Sequence, residues 1–157
     1  MTEGIYGPIA FGRCRGRIMT FNEVERKYSG RFTAHMPHLR KPLLEWAGND
    51  LVKIEMKIGL NAAWCGDPNP LLAQWHLFHE NALASPLVIG TKPMGPGLSL
   101  FVITELSETH KHWLTHGQLL AVELTVSFQE YIPFSEGLLS SLGIPGFGGS
   151  FLGSGGL

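Results

Sequence analysis

Seven histidines are the side chains of this sequence best suited to metal or proton chemistry, so their spacing comes first. His76 and His79 stand three apart, a spacing at which two imidazoles on one helix face can share a metal. His110, His112 and His116 fall in T-H-K-H-W-L-T-H, where strand spacing puts His110 and His112 on one face. Neither set is complete. Glu80 follows His79 instead of standing between the pair, so there is no H-E-x-x-H, and a metal needs three or four converging ligands. Polar or interfacial histidines are the simpler assignment, and no metal or cofactor is expected.

Covalent chemistry is no better provided for. The sequence lacks G-x-S-x-G, a Walker pattern, and G-x-G-x-x-G between a strand and a helix. Cys14 lies between Arg13 and Arg15, which favours a thiolate, but no base is placed to partner it. Cys14 and Cys65 lack C-x-x-C spacing. Two readings stay open for them: reduced, partly buried thiols, or a disulfide, within the chain or across subunits, formed in an oxidising exterior. Arg13, Arg15 and Arg17 alternate in R-C-R-G-R, so in a strand they share a face. That face is either solvated or an edge offered to a subunit or an acidic partner. With every catalytic signature missing, the chain is not expected to be an enzyme.

The elements that must position these residues are strand-rich. Val52, Ile54, Met56, Ile58 and Leu60 alternate with Lys53, Glu55, Lys57 and Gly59, a strand with one buried and one polar face. Asp67-Pro68-Asn69-Pro70 opens the one clear helix, expected over about 69–84, with Asn69 as cap and Leu71, Trp75, Phe78 and Ala82 as its apolar stripe. Pro86–Gly90 reads as a short strand. Phe101–Glu108 and Leu119–Phe128 read as an antiparallel hairpin, with Leu120, Val122, Leu124, Val126 and Phe128 facing in. Lys27–Trp46, with Pro37 and Pro42, reads as loop or edge structure in contact with a partner. After Ser135 the chain turns glycine-rich, with 8 of its 20 glycines among the last 23 residues, yet it keeps Phe147, Phe151 and five leucines. That tail is either a strap along a neighbour's groove or a loose end.

Composition narrows the class. Lys plus Arg number 12 and Asp plus Glu 13, for a formal charge of −1 over 157 residues. Proteins that coat nucleic acid are normally basic, so a sequence-specific nucleic-acid partner is not expected. Charged residues make up 16% against 44% hydrophobic, where a soluble domain carries about 25% charge. A surface this bland suits a subunit covered by partners. No apolar run of membrane-spanning length occurs, and Met1–Ala10 lacks the basic start and apolar core of a secretory signal, so no membrane partner is expected.

The order of parts carries a resemblance. A basic extended segment leads to Trp46-Ala47-Gly48, the alternating strand and the Pro-started helix. P-L-V-I-G and a glycine-rich turn follow, then V-I-T-E-L-S-E-T at 102–109 and G-Q-L-L-A-V-E-L-T-V-S-F-Q-E-Y at 117–131. This sequence resembles the tail protein U family of P2-like contractile-tailed phages over Gly7 to Ile132. The resemblance implies a tail-tube-like α+β fold over residues 1–134: an antiparallel β-barrel or sandwich flanked by one main helix, with extended arms. The Gly-rich apolar tail, 135–157, lies outside it.

The resemblance further implies a structural virion protein. It would be a homo-oligomeric ring of six, assembled in the host cytoplasm, that joins or initiates the tail tube at the baseplate hub. The implied partners are the tail tube protein and the baseplate hub protein, with tape-measure and LysM-type tail proteins as further neighbours. A terminator ring at the head-proximal end is the alternative position. A small metal- or ligand-binding domain built on the histidine-rich hairpin is the alternative class. No catalytic residues carry over. Candidate contacts are Arg13, Arg15, Arg17, Arg31, Arg40, Trp46, Trp113, Phe147 and Phe151. The polar strand faces Lys53, Glu55, Lys57 and Glu123, Thr125, Ser127 would line a wet channel or face solvent, with Lys53 and Lys57 either paired with acids or turned outward.

Overall fold

A computed structural model describes residues 4–14, 17–97 and 99–133, with backbone alone at 13, 14, 17 and 18. The order is β1 (Gly4–Tyr6), β2 (Ile9–Cys14), β3 (Arg17–Lys27), β4 (Gly30–His35), β5 (Leu43–Asn49), β6 (Lys53–Asn61), α1 (Ala62–Cys65), α2 (Asn69–Glu80), β7 (Ser85–Ile89), β8 (Lys92–Pro93), β9 (Leu100–Trp113) and β10 (Leu119–Tyr131). All ladders are antiparallel. Eight strands run in the order β1-β2-β3-β6-β10-β9-β7-β8, β1 also pairs with β7, and β4 and β5 pair only with each other.

The architecture is sandwich-like rather than a regular barrel. The long ladders tie β3, β6, β10 and β9 into one sheet. The turn into the second layer, β2-β1-β7-β8, is made by short ladders: three residue pairs between β2 and β3, two between β7 and β9. Strands not bonded to each other meet across the core: the Tyr6 ring of β1 lies 4.9 Å from the Phe128 ring of β10. Apolar alternation puts Ile54, Met56, Ile58 and Leu60 of β6 and Val122, Leu124, Val126 and Phe128 of β10 on the inner face, each at most 2% exposed. Gly4 is required where β1 crosses the Phe11 ring, since a Cβ there would lie 2.0 Å from it.

Helix α2 closes the core with Leu71, Leu72, Trp75 and Phe78. It stops at Glu80, four residues short of the end the apolar stripe suggests. Asn81 caps it, Ala82 turns to φ 47°, and Leu83 N–H bonds back to Phe78 O, which frees the chain to enter β7. At its start Pro68 is the cap and Asn69 already helical; Asp67 Oδ1 accepts from Asn69 N–H at 3.1 Å. A short second helix, α1, was not expected; Asn61 caps it through Ala63 N–H. One main helix against a mostly antiparallel sheet fits the α+β label only loosely.

Two further segments depart from their sequence reading. Lys27–Trp46 is not a loop: β4 and β5 form a hairpin that prolongs β3 and β6 beyond the sandwich. The β9–β10 hairpin is longer and shifted. Phe101 opposes Glu130 and Glu108 opposes Leu124, and pairing runs out to Trp113–Leu119. His110 and His112 are therefore strand residues, and the turn is only Leu114–Gln118, where Gly117 takes φ 76°.

Candidate interaction surfaces

Three surfaces hold the chemistry of the described residues. The first is the outer face of the long sheet. Residues opposed in an antiparallel ladder share a face. Glu23, Glu25 and Lys27 of β3 therefore stand beside Lys57, Glu55 and Lys53 of β6, then Thr125, Ser127 and Gln129 of β10, then Ser107, Glu105 and Val102 of β9. Charges pair across it: Lys57 Nζ donates to Glu23 Oε2 at 2.6 Å, Lys27 lies 3.3 Å from Glu25, and Lys111 bonds Glu123. The bond and charge of Glu23 hold the Lys57 ammonium above its usual value, and Lys111 holds the Glu123 carboxyl below its own. Two shallow hollows open on this face, one between Lys27 and Glu105 and one between Lys57 and Lys111. Lys57 thus faces outward and pairs with an acid at once.

The second surface is the β4–β5 arm. Phe32 opposes Trp46, and His35 opposes Leu43. Every β4 residue is exposed, and Phe32, Leu43, Leu44 and Trp46 are each at least 60% exposed. Met36 and Leu39 at the tip are exposed further, and Arg40 N–H bonds Pro37 O there. Arg31 Nε reaches Asp50 at 3.3 Å and His35 reaches Glu45 at 2.7 Å, which stiffens the ribbon at two levels. A two-stranded hairpin with no covered face is marginal by itself in water, so the arm has the form of a segment that a partner completes. Arg31, Arg40 and Trp46, expected as contacts, all lie on it.

The third lies where α2 crosses the far end of the hairpin. Glu108 uses its two oxygens on different imidazoles, His76 of α2 and His110 of β9. Burial pushes the Glu108 carboxyl up, but the bonds from His110 and His76 outweigh it and leave the group below its ordinary value. The structure joins His76 to His110, not to His79, and not His110 to His112 and His116. Sequence reasoning missed this cluster because its members lie 32 residues apart. Among the described residues no three His, Cys, Asp or Glu side chains form a metal-holding group. Trp113, the remaining described aromatic candidate, is 56% exposed and sits edge-on to His110.

The other candidates are placed only in part. Arg13 opposes Ile18 and Cys14 opposes Arg17 at the β2–β3 corner, backbone to backbone. Cys65 is buried, with Sγ 2.9 Å from Asn61 O. The proposed Cys14–Cys65 disulfide, Arg15, Phe147, Phe151 and the 135–157 tail lie outside the described residues or side chains. Among the described residues no helix is long and apolar enough to cross a membrane.

The family model described as Phage P2 GpU matches residues 7–132, or 126 of 157. No curated protein matches the chain.

Proposed function

The chain belongs to the Phage P2 GpU family of phage tail structural proteins, and from that membership we propose that it forms a ring at the baseplate end of a contractile tail, joining or initiating the tail tube. The observation that carries this reading is the arm: one face of the ribbon sets Phe32 and Ala34 against Trp46 and Leu44, all exposed in the lone chain, and an apolar face of that kind calls for protein against it. Neighbours in a ring, together with the tube and hub proteins above and below, supply that cover.

The long sheet supplies the complementary surface. Its outer face holds Glu23, Glu25, Glu55, Glu105 and Glu123 against Lys27, Lys53, Lys57 and Lys111. Such a face, wet and without excess positive charge, suits the wall of a channel through which a polyanion slides without sticking. Six copies are the expectation carried by the resemblance.

Electron microscopy of tails carrying a labelled copy tests the position. Label density between tube and hub is the expected result. Density at the head–tail neck would instead make the protein the terminator ring.

A further inference from the structure

We propose that the tip of the β4–β5 arm is a plug for a different tail protein: Leu39 seats in an apolar pocket on that protein, and Arg40 and Lys41 meet carboxylates on the pocket's rim. This rests on the arm's role in the proposed function and names what the tip grips.

The turn at the tip is built around an unsuitable residue for its shape. Arg40 N–H bonds Pro37 O, which closes a four-residue turn with Leu39 in third place at φ 62°. Turns that need a left-handed residue there take Gly or Asn. Leucine is strained in that region, because its Cβ crowds the following carbonyl oxygen. Packing within the chain does not account for the choice. Leu39 is 95% exposed, the most of any large apolar side chain among the described residues, and Met36 beside it is 82% exposed. Strain of this kind persists where function uses the residue.

The tip is also stiffened. Pro37 and Pro42 restrict the backbone on either side of Leu39, and His35 pairs with Leu43 just beneath. Less order then has to be imposed when a partner binds.

Charge supplies the partner's chemistry. The arm's lower charges are matched, Arg31 by Asp50 and His35 by Glu45. Those of the tip are not. Residues 35–44 read H-M-P-H-L-R-K-P-L-L, without an acid, and Arg40 and Lys41 form no ion pair among the described residues. Two exposed cations beside an exposed leucine fit an apolar pocket edged by Asp or Glu, whose charge steers the approach and fixes the register.

Three hollows of the described surface fail as that pocket. The two on the sheet face are lined by Lys27 and Lys53, and by Lys57 and Lys111, which repel the tip. The third, at the root of the arm, is edged by Asp50 and Glu130. Asp50 already holds Ser29 and Arg31, and the two oxygens of Glu130 hold Ser99 and the Val52 N–H. The pocket is therefore assigned to another protein and not to a second copy.

The test is competition between full-length parent and variant chains for places in assembling tails. Leu39→Gly keeps the turn and removes the side chain. The expected result is a urea midpoint at or above the parent's, with incorporation reduced about ten-fold or more, while Leu39→Met stays close to the parent. Equal incorporation of Leu39→Gly and the parent makes Leu39 a turn residue only and overturns the plug. A lowered midpoint overturns the strain at the turn. Carbodiimide cross-linking of assembled parent tails, read by mass spectrometry, identifies the rim. A bond from the Lys41 amine to an Asp or Glu of a different tail protein is expected, and Lys41→Arg abolishes it. A bond to another copy of this chain overturns the choice of partner, and no bond from Lys41 overturns the acidic rim. Tails that the parent itself does not enter overturn the proposed function, and the plug with it.

Discussion

The ring of Tyr6 lies parallel to that of Trp75, with centroids 6.1 Å apart, and the Tyr6 hydroxyl is 3.0 Å from both Leu83 O and Phe101 O. One residue of the first strand thus touches the helix, the chain leaving the helix, and the start of the hairpin. Phe11, Phe78 and Phe128 complete the aromatic cluster around the pair.

Burial pushes the Tyr6 phenol up to about 12 from its ordinary 10.0. The unfolded chain releases this proton first as pH rises. The contribution is therefore whole below about pH 10 and is lost on the way to about pH 12, a change on the order of 3 kcal/mol. Tyr6→Phe should cost about 1–2 kcal/mol at pH 7 and flatten the alkaline loss. Urea unfolding at pH 7, 10 and 11 measures both; an unchanged alkaline slope would contradict the assignment.

Trp75 is fully buried against Tyr6, Phe11 and Phe128. Trp75→Ala should destabilise by about 3–5 kcal/mol, because α2 closes the core largely through this ring. Denaturant midpoints compared at equal slope provide the check.

Glu108 behaves in the opposite sense to Tyr6. Its folded carboxyl titrates below the ordinary 4.5, so the stabilisation is present at neutral pH and is lost as pH falls through the folded value. His76 and His110 are each at least 36% exposed, and exposed pairs are weak, so the contribution stays below about 1 kcal/mol. Glu108→Gln should lower stability at pH 7 and approach the parent as pH falls below the ordinary carboxylate value, in parallel unfolding curves. A constant difference between the two proteins across that range would rule the contact out as its source.

The arm separates folding from assembly. Phe32→Ser with Trp46→Ser removes an opposed pair that is 60% and 61% exposed. The change in stability should stay within about 0.5 kcal/mol, while incorporation into tails falls sharply. Equal incorporation of the variant and the parent, mixed in one assembly reaction, would remove the arm from the interface.

The tail permits the same separation. Among the described residues the buried core runs from Tyr6 to Phe128 and closes on itself, so a chain ending at Phe134 should unfold at the parent's midpoint. If 135–157 is a strap, that chain fails to join tails; normal joining would assign the tail no part in assembly.

Local pattern was enough for much of this molecule. Alternation in β6 and β10 depends only on near neighbours along the chain, and it marked the inner residues Val52 to Leu60 and Leu120 to Phe128 almost without error. Leu120 is the exception: a register shift near Ala121 turns it from the core, and Leu119 is buried in its place. The match to the tail family was likewise legible, because the motifs at 102–109 and 117–131 are contiguous.

Packing determined the rest. Helix α2 ends at Glu80 because the chain must turn into β7, which a stripe of apolar residues does not foresee. The arm between Lys27 and Lys53 is a hairpin because β3 and β6 pair and carry their neighbours on with them, whereas Pro37 and Pro42 suggest a loop. Glu108 finds His76 and His110, and β3 and β9 become the open edges, only once distant segments share a sheet. Short-range periodicity writes burial into the amino-acid order. Edges, registers and long-range charge contacts depend on which segments lie side by side, and that is a property of the folded chain.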